Sequence, residues 1–79
     1  MNIKIKKYYT DWCGPCKKIE RELEKLETQG VEIERINAEE KPHPEVMGVP
    51  VLFIEAGGKT ERLDGYKTFN QIVEVIRSM

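Results

Sequence analysis

The spacing of apolar residues changes abruptly near the amino terminus, and this change constrains the fold more than any other feature. Residues 2–9 alternate apolar and charged side chains and end in two tyrosines, which predicts a β-strand. From Cys16 onward the apolar residues recur every three or four positions, which predicts an amphipathic helix over residues 14–29. Its apolar stripe consists of Cys16, Ile19, Leu23 and Leu26. Gly30 follows where a left-handed helix ending is expected, so the chain opens with a strand that runs directly into one helix.

The segment after Gly30 predicts a second strand and then an irregular connection. Apolar and charged residues alternate over 31–36, and the short helix before them favours a parallel crossover to the first strand. Residues 38–48 contain two prolines, which leave room for only a single helical turn around residues 45–47. The first half of the chain is therefore a βαβ unit followed by a connecting segment.

The second half predicts two strands and a closing helix. The nearly continuous apolar run at 51–56 is typical of an internal strand that is covered on both faces. Gly57 and Gly58 indicate a hairpin, because both central residues of a type I′ turn need positive φ, and an antiparallel strand follows at 59–64. Thr68 is expected to cap a helix whose apolar residues recur at helical spacing. The order β-α-β, then β-β-α predicts an α/β fold, a four-stranded mixed sheet with helices packed on its faces.

Length and charge exclude several classes of protein. The 79 residues form one domain, residues 1–79, because two halves could not each bury a sufficient core. Thirteen basic and fourteen acidic residues, spread without a block of one sign, argue against nucleic acid or an anionic membrane as a partner. The sequence contains neither a signal-peptide pattern nor an apolar run of membrane-spanning length. We therefore expect a cytoplasmic monomer without a cofactor.

The two cysteines, Cys13 and Cys16, lie where the first strand meets the first helix. Helical residues at this spacing have Cβ atoms about 5–6 Å apart, so a disulfide between them can open and close without refolding. The free amides and the dipole at the helix start stabilise a thiolate at Cys13, which is the expected nucleophile. Cys16 lies one turn inside on the apolar stripe, where it is expected to be shielded and to resolve a mixed disulfide. The pair predicts thiol–disulfide exchange.

The residues beside the cysteines fit this chemistry. Pro15 is compatible with the first helical turn, where its missing N–H would have had no partner, and it limits flexing of the loop. Gly14 allows a partner chain to approach closely. Trp12 places a flat apolar side chain next to the nucleophile, and we expect it to be partly open and to contact a protein substrate.

Two other interpretations of the cysteine pair stay open at this point. A structural zinc site normally needs four ligands, and the only other soft ligand in the chain is His43, so a metal would require a dimer. A purely structural disulfide would close a very short loop, which removes only about 2 kcal/mol of unfolded-chain entropy. No metal is therefore assigned.

The remaining side chains divide into a core and a solvated surface. Leu23, Leu26, Phe53 and Ile76 are expected in the core. Lys7, Lys17 and Arg35 are expected on the solvated surface, where any of them near the sulfurs would favour the thiolate. His43, between two prolines, is expected in a solvated loop without a role.

The run Trp12-Cys13-Gly14-Pro15-Cys16, after a strand and at a helix start, resembles the active site of the thioredoxin family. Gly48-Val49-Pro50 before an apolar strand is similar to the cis-proline loop of that family, and Gly65 before the last helix is similar to its glycine turn. Together these motifs cover most of the predicted elements. The resemblance implies a thioredoxin/glutaredoxin-like fold and a thiol–disulfide oxidoreductase.

The resemblance also implies further site residues. Pro50 would follow a cis peptide bond and pack against the two sulfurs, while the backbone of Val49 would pair with an extended substrate segment. Gly65 would lie at the substrate-binding edge. Tyr66 could pack on the sheet or line the substrate groove, and its position is left open between the two. Disulfide-containing proteins are the implied substrates, and an NADPH-dependent thioredoxin reductase is the implied recycling partner.

The chain departs in three respects from the patterns of thioredoxins and glutaredoxins. It has glutaredoxin length, with a shortened middle segment, and a glutathione-recycled electron donor, for example to ribonucleotide reductase, is therefore the alternative. The dipeptide Gly14-Pro15 and the loop before Pro50 differ from those of glutaredoxins. Lys7 occupies the position where thioredoxins usually carry a buried acid that takes the proton of the resolving thiol. Water, Asp11 or the Lys7 amine could take that proton here.

Overall fold

The computed structural model describes residues 2–79, which form six regular elements. They are β1 (Ile3–Tyr9), α1 (Gly14–Glu27), β2 (Glu32–Asn37), β3 (Val51–Ala56), β4 (Lys59–Asp64) and α2 (Phe69–Ser78). Every element predicted from the apolar spacing is present, and the observed bounds differ from the predicted ones by at most two residues at an end. Among the described residues, no helix has both the length and the apolar character that a membrane crossing requires.

The strands form one sheet in the order β2-β1-β3-β4. β1 pairs in parallel with β2 and antiparallel with β3, and β3 pairs antiparallel with β4. The predicted mixed sheet and the internal position of β3 are therefore confirmed. Positive φ at Gly57 and Gly58 confirms the predicted tight turn between the last two strands.

The hydrophobic core lies between the sheet and the two helices, and both helices pack on the same face. Alternate residues of β1 and β3 point into it, and the apolar stripe of α1 meets Ile72 of α2 there. Its fully buried members are Ile5, Ile19, Leu23, Leu52, Ile54 and Ile72. Leu26 is also buried, as predicted, whereas Ile76 is only half-buried because it lies at the edge of this cluster.

The opposite face of the sheet carries charged residues and one small aromatic cluster. Lys6 forms an ion pair with Glu55 on this face. Phe53 is half-buried here and not in the core, because the register with Lys6 puts it on the side away from the helices. His43 is not a freely solvated loop residue, since its ring lies 5.1 Å from that of Phe53 and 5.5 Å from that of Tyr8. A loop side chain covers this face in place of a helix.

Backbone hydrogen bonds define where the connections begin and end. At the end of α1 the amide of Gly30, with φ 93°, bonds to Glu27 O, and the amide of Val31 bonds to Leu26 O. These are the two bonds of the Schellman motif, and they confirm the left-handed ending predicted at Gly30. The helical turn predicted around 45–47 is wrong, because a single hydrogen-bonded turn from His43 O to the Val46 amide takes its place.

Candidate redox site

The junction of β1 and α1 holds Cys13 and Cys16, which are joined in a disulfide. Their Cα atoms lie 5.2 Å apart, within the usual range for a disulfide, because the first turn of the helix carries both residues. Cys13 is 4% exposed and Cys16 is 2% exposed in this oxidised form. The predicted shielding of Cys16 is confirmed.

Cys13 is the N-cap of α1, which places its sulfur at the positive end of the helix dipole. Cys13 has an extended backbone just before the first helical residue. Its Sγ accepts a hydrogen bond of 3.1 Å from the Cys16 amide. That amide is one of the first-turn donors that have no partner within the helix. A thiolate at Cys13 would gain from the same donor and from the dipole, which together lower the free energy of the charged form.

The neighbours of the disulfide form an exposed rim. Gly14 and Pro15 are exposed, and Pro15 lies in the first helical turn, as predicted. Trp12 is 70% exposed, and its indole Nε1 donates a 3.3 Å hydrogen bond to Glu39. The expectation that Trp12 is open to a partner agrees with this exposure.

A second loop, which includes Val49 and Pro50, carries the other predicted site residues. The Val49–Pro50 peptide bond is cis, and Pro50 is buried. The Gly65 amide donates a 2.9 Å hydrogen bond to Pro50 O, which ties the loop to the turn after β4. Val49 and Met47 each line two clefts, one of about 140 Å³ shared with Trp12 and one of about 290 Å³ shared with Gly65.

Tyr66 lines neither of these two clefts. Its half-buried ring packs against the hydrophobic core, and the Lys18 ammonium lies 4.6 Å from the ring centroid. These contacts favour the packing alternative for Tyr66. A role in the substrate groove stays a prediction.

The expectation that Lys7 is solvated is wrong. Lys7 is 5% exposed, because its position in β1 has the same parity as Ile3 and Ile5 and therefore points toward the helices. Its Nζ donates a 2.5 Å hydrogen bond to Oε2 of Glu20, one turn beyond Cys16 on α1. Arg35 of β2 is exposed, as predicted, and its Nε donates a 2.7 Å bond to the other oxygen of Glu20.

This charge cluster also includes Glu27, which forms two hydrogen bonds of 3.0 Å with the Arg35 guanidinium. Burial acts to raise the pKa of Glu20, but the hydrogen bonds from Arg35 and Lys7 outweigh it and hold the pKa below its usual range. The hydrogen bond to Glu27 is the main reason why the pKa of Arg35 is raised, and Glu20 adds to it. Both cations therefore stabilise the carboxylate form of Glu20.

Replacing Glu20 by Gln is expected to change the dependence of stability on pH. The pKa of Glu20 is lowered in the folded state, so its stabilisation is complete above its unfolded pKa of about 4.3 and is lost as the pH falls through the folded pKa. At pH 7 the variant should be less stable than wild type, because Lys7 loses its buried counter-charge. The two proteins should converge as the pH falls below the lowered pKa of Glu20 in the folded state. Urea unfolding across this range measures the effect.

The matched control for this experiment is Glu24→Gln, an exposed position on the same helix. It removes the same charge without touching Lys7 or Arg35, so its unfolding free energy should follow wild type closely. A constant offset between Glu20→Gln and wild type from pH 7 to pH 2 would contradict the assigned role of the carboxylate.

Comparison with known proteins agrees with this geometry. Residues 2–78 match the family model described as Thioredoxin. The chain belongs to the thioredoxin family. Among its relatives, the thioredoxin of Chlamydia caviae is 32% identical over 76 residues, which cover 87% of this chain and 74% of the relative. As a member of this family with a disulfide between Cys13 and Cys16, the protein is a thiol–disulfide oxidoreductase.

Solved structures of thioredoxins share the fold. A chloroplastic thioredoxin z superposes with a TM-score of 0.84 at 28% identity, covering 98% of this chain and 77% of that chain. A variant thioredoxin from Halobacterium salinarum superposes with a TM-score of 0.83 at 29% identity, covering 98% of this chain and 74% of that chain. The resemblance inferred from the motifs, including the four-stranded mixed sheet, is confirmed.

Sequence reasoning missed three features of the site. The burial of Lys7 could have been predicted from the alternation of side chains along β1, which places Lys7 on the same face as Ile3 and Ile5. The position of Glu20 one turn after Cys16 was also readable, since residues four apart share a helix face. The exposure of Met47, which reaches 91%, had no signal in the sequence.

Proposed function

We propose that the protein reduces disulfide bonds in other proteins, with Cys13 as the nucleophile and Cys16 as the resolving thiol. The observation that carries this proposal is the unequal environment of the two sulfurs. Cys13 Sγ caps α1 and accepts a hydrogen bond from the Cys16 amide, whereas Cys16 lies within the first turn of the helix, on its apolar stripe. A thiolate is therefore favoured at Cys13, and Cys16 is held one turn away to attack it.

The reaction transfers two electrons in two exchanges. The Cys13 thiolate attacks one sulfur of the substrate disulfide, that bond breaks, and the released substrate thiolate takes a proton. A mixed disulfide between Cys13 and the substrate remains. Cys16 then loses its proton and attacks Cys13 Sγ, and the second substrate sulfur leaves as a thiolate. The products are a reduced substrate and the Cys13–Cys16 disulfide.

The surface around the disulfide supports a protein as the substrate. Trp12 and Met47, 70% and 91% exposed, line one cleft together with Val49. Large exposed apolar side chains of this kind are found where proteins bind partners. The backbone beside Pro50 offers a short edge on which an extended substrate segment could pair, since the proline ring carries no N–H. Binding by Val49 and Pro50 stays part of this proposal.

We further propose that an NADPH-dependent thioredoxin reductase recycles the oxidised protein. The match of residues 2–78 to the thioredoxin model and the likeness to bacterial thioredoxins support this over recycling by glutathione. A zinc-binding or redox-switch module is a weaker candidate, since no cluster of three His, Cys, Asp or Glu side chains is placed to hold a metal within residues 2–79. A cytoplasmic location and a monomeric state stay predictions.

Insulin-disulfide reduction tests the function and the recycling partner together. The expected result is steady turnover with NADPH and thioredoxin reductase, and slow turnover when glutathione and glutathione reductase replace them. Fast turnover with glutathione alone would favour the glutaredoxin-like alternative. Absence of insulin reduction under both conditions, with stoichiometric zinc in the protein as purified, would contradict the proposal and support the binding module.

A further inference from the structure

Among residues 2–79, Lys7 is the one strongly buried amine, and the reaction described above does not use it. Its side chain is 6% exposed, and it lines a cleft of about 280 Å³ together with Cys16 and Glu20. An ammonium has three donors, and among the described residues Nζ donates one hydrogen bond, to Glu20. Burying such a charge is costly, so its place beside the resolving cysteine calls for an explanation.

We propose that Lys7 is the electrostatic partner of the Cys16 thiolate and that Glu20 is the positioning residue that holds Lys7 in place. The inference rests on the proposed function, in which Cys16 must lose its proton before it attacks Cys13. A positive charge in a poorly solvated cleft favours the charged form of a nearby thiol. The proton of Cys16 leaves to solvent through the open side of the cleft.

The charges around Cys16 indicate which of Lys7 and Glu20 assists the ionisation of Cys16. The titratable or charged residues that line the cleft or belong to the charge cluster beside it are Lys7, Tyr9, Asp11, Lys17, Glu20, Glu27 and Arg35. The Glu20 carboxylate is shared between Lys7 and Arg35, so it offsets the positive charge of Lys7 only in part. Lys17 and Asp11 are exposed, and solvent screens them.

Glu20 is a poor candidate for a proton acceptor. A thiol with an ordinary pKa of about 8.5 would have to give its proton to a carboxyl whose pKa lies below its usual 4.5, which is unfavourable by more than about 10⁴-fold. Lys7 needs no proton transfer to act, because its charge stabilises the thiolate directly. The large cost of proton transfer to Glu20 therefore favours electrostatic stabilisation of the thiolate by Lys7 over general-base catalysis by Glu20.

A second observation concerns a buried hydroxyl on a residue that lines the same cleft. Thr10 is 5% exposed and lines the cleft. Its Oγ1 is buried without a hydrogen-bond partner among residues 2–79. Buried hydroxyls are normally paired, and a thiolate at Cys16 would give this one an acceptor.

Titration of Cys16 in a Cys13→Ser background tests the proposal directly, since Cys16 is then the only thiol. The ultraviolet absorbance of the thiolate is followed against pH with Lys7 present and with Lys7→Met added. Removal of the charge is expected to raise the pKa of Cys16 by at least about one, a tenfold loss of thiolate at pH 7. Lys7→Arg, which keeps the charge, should retain the lower pKa.

The matched control is Lys17→Met, which removes an exposed lysine from the same cleft. Its effect should be less than about a third of that of Lys7→Met, because solvent screens the charge. An unchanged Cys16 pKa in Lys7→Met, or an equal shift in Lys17→Met, would overturn the proposal. If circular dichroism shows that Lys7→Met does not fold, Lys7→Gln replaces it and the same outcomes apply.

The resolving step gives a second readout that a purely structural role would not reproduce. With both cysteines present, Lys7→Met should resolve the mixed disulfide about threefold more slowly at pH 7, since higher intrinsic nucleophilicity offsets part of the tenfold loss of thiolate. Above both pKa values it should resolve as fast as wild type or faster. Acid quenching and mass spectrometry measure the mixed disulfide, and equal slowing at every pH would contradict the proposal.

The two hypotheses can fail separately. If the wild-type protein reduces no disulfide but Lys7→Met raises the pKa of Cys16, the proposed function is wrong and the electrostatic role of Lys7 stands. If the wild-type protein reduces insulin and Lys7→Met leaves the pKa of Cys16 unchanged, the proposed function stands and the role of Lys7 is wrong.

Discussion

Cys13→Ser is expected to abolish insulin-disulfide reduction, with a loss of at least about 10³-fold relative to wild type. The serine hydroxyl keeps the N-cap position but forms no useful nucleophile at neutral pH, because its pKa lies far above that of a thiol. The helix should therefore persist while the chemistry disappears. The reductase-coupled assay measures the loss, and circular dichroism verifies that the fold is retained.

Cys16→Ser is the matched variant, since it removes the other sulfur by the same substitution. Cys13 can still attack a substrate disulfide, but nothing within the protein can release the product. A covalent Cys13–substrate adduct should accumulate and be visible by mass spectrometry without reductant. Appreciable reductase activity in Cys13→Ser, or an adduct on Cys16 in that variant, would reverse the assignment of the two roles.

Leu23→Ala is expected to destabilise the protein by about 3–4 kcal/mol. Leu23 is fully buried at the centre of the core, between the sheet and the two helices, so truncation loses apolar burial and leaves a cavity. Natural domains have free energies of unfolding of only about 5–15 kcal/mol, and a chain this short is expected near the lower end. Urea unfolding of the oxidised protein, with the disulfide intact, measures the change.

Leu63→Ala removes the same atoms from a half-buried position at the margin of the same core. Its cost should be about 1 kcal/mol, because the side chain already contacts solvent in the folded state. Equal costs for the two leucines would contradict the placement of the core between the sheet and the helices.

The local elements were predictable because their signals lie within a few residues of one another. Alternation over 2–9 and helical spacing after Cys16 depend only on which face of each element is buried. The glycines at 30, 57 and 58 marked turns, and all three adopt positive φ. The loop at 38–48 was the exception, because two prolines exclude a regular helix without specifying which turn replaces it.

The tertiary arrangement of the helices explains the errors in the predicted core. Phe53 and Ile76 are apolar and lie in regular elements, so their residue types favoured burial. Both helices pack on one face of the sheet, however, and this leaves Phe53 on the side covered only by a loop. No local pattern indicates how many helices cover each face of a sheet.

The site was predictable to the extent that its chemistry is local. Cys13 and Cys16 are three residues apart, and one helix start supplies the spacing, the dipole and the free amides. The cluster of Lys7, Glu20 and Arg35 was not predicted as a unit, because its members are 13 and 15 residues apart and come from three elements. Trp12 and Met47 likewise share a cleft only after two loops meet.

The amino-acid sequence by itself determined the order of strands and helices, the redox-active pair and the unequal positions of its two sulfurs, because all of these depend on neighbours along one turn or one strand. Only the tertiary structure decided that Lys7 shares a cleft with the resolving cysteine and pairs there with a carboxylate one helical turn further along. Burial of a charge depends on which partners the packed elements bring to it, and those partners are distant in the chain.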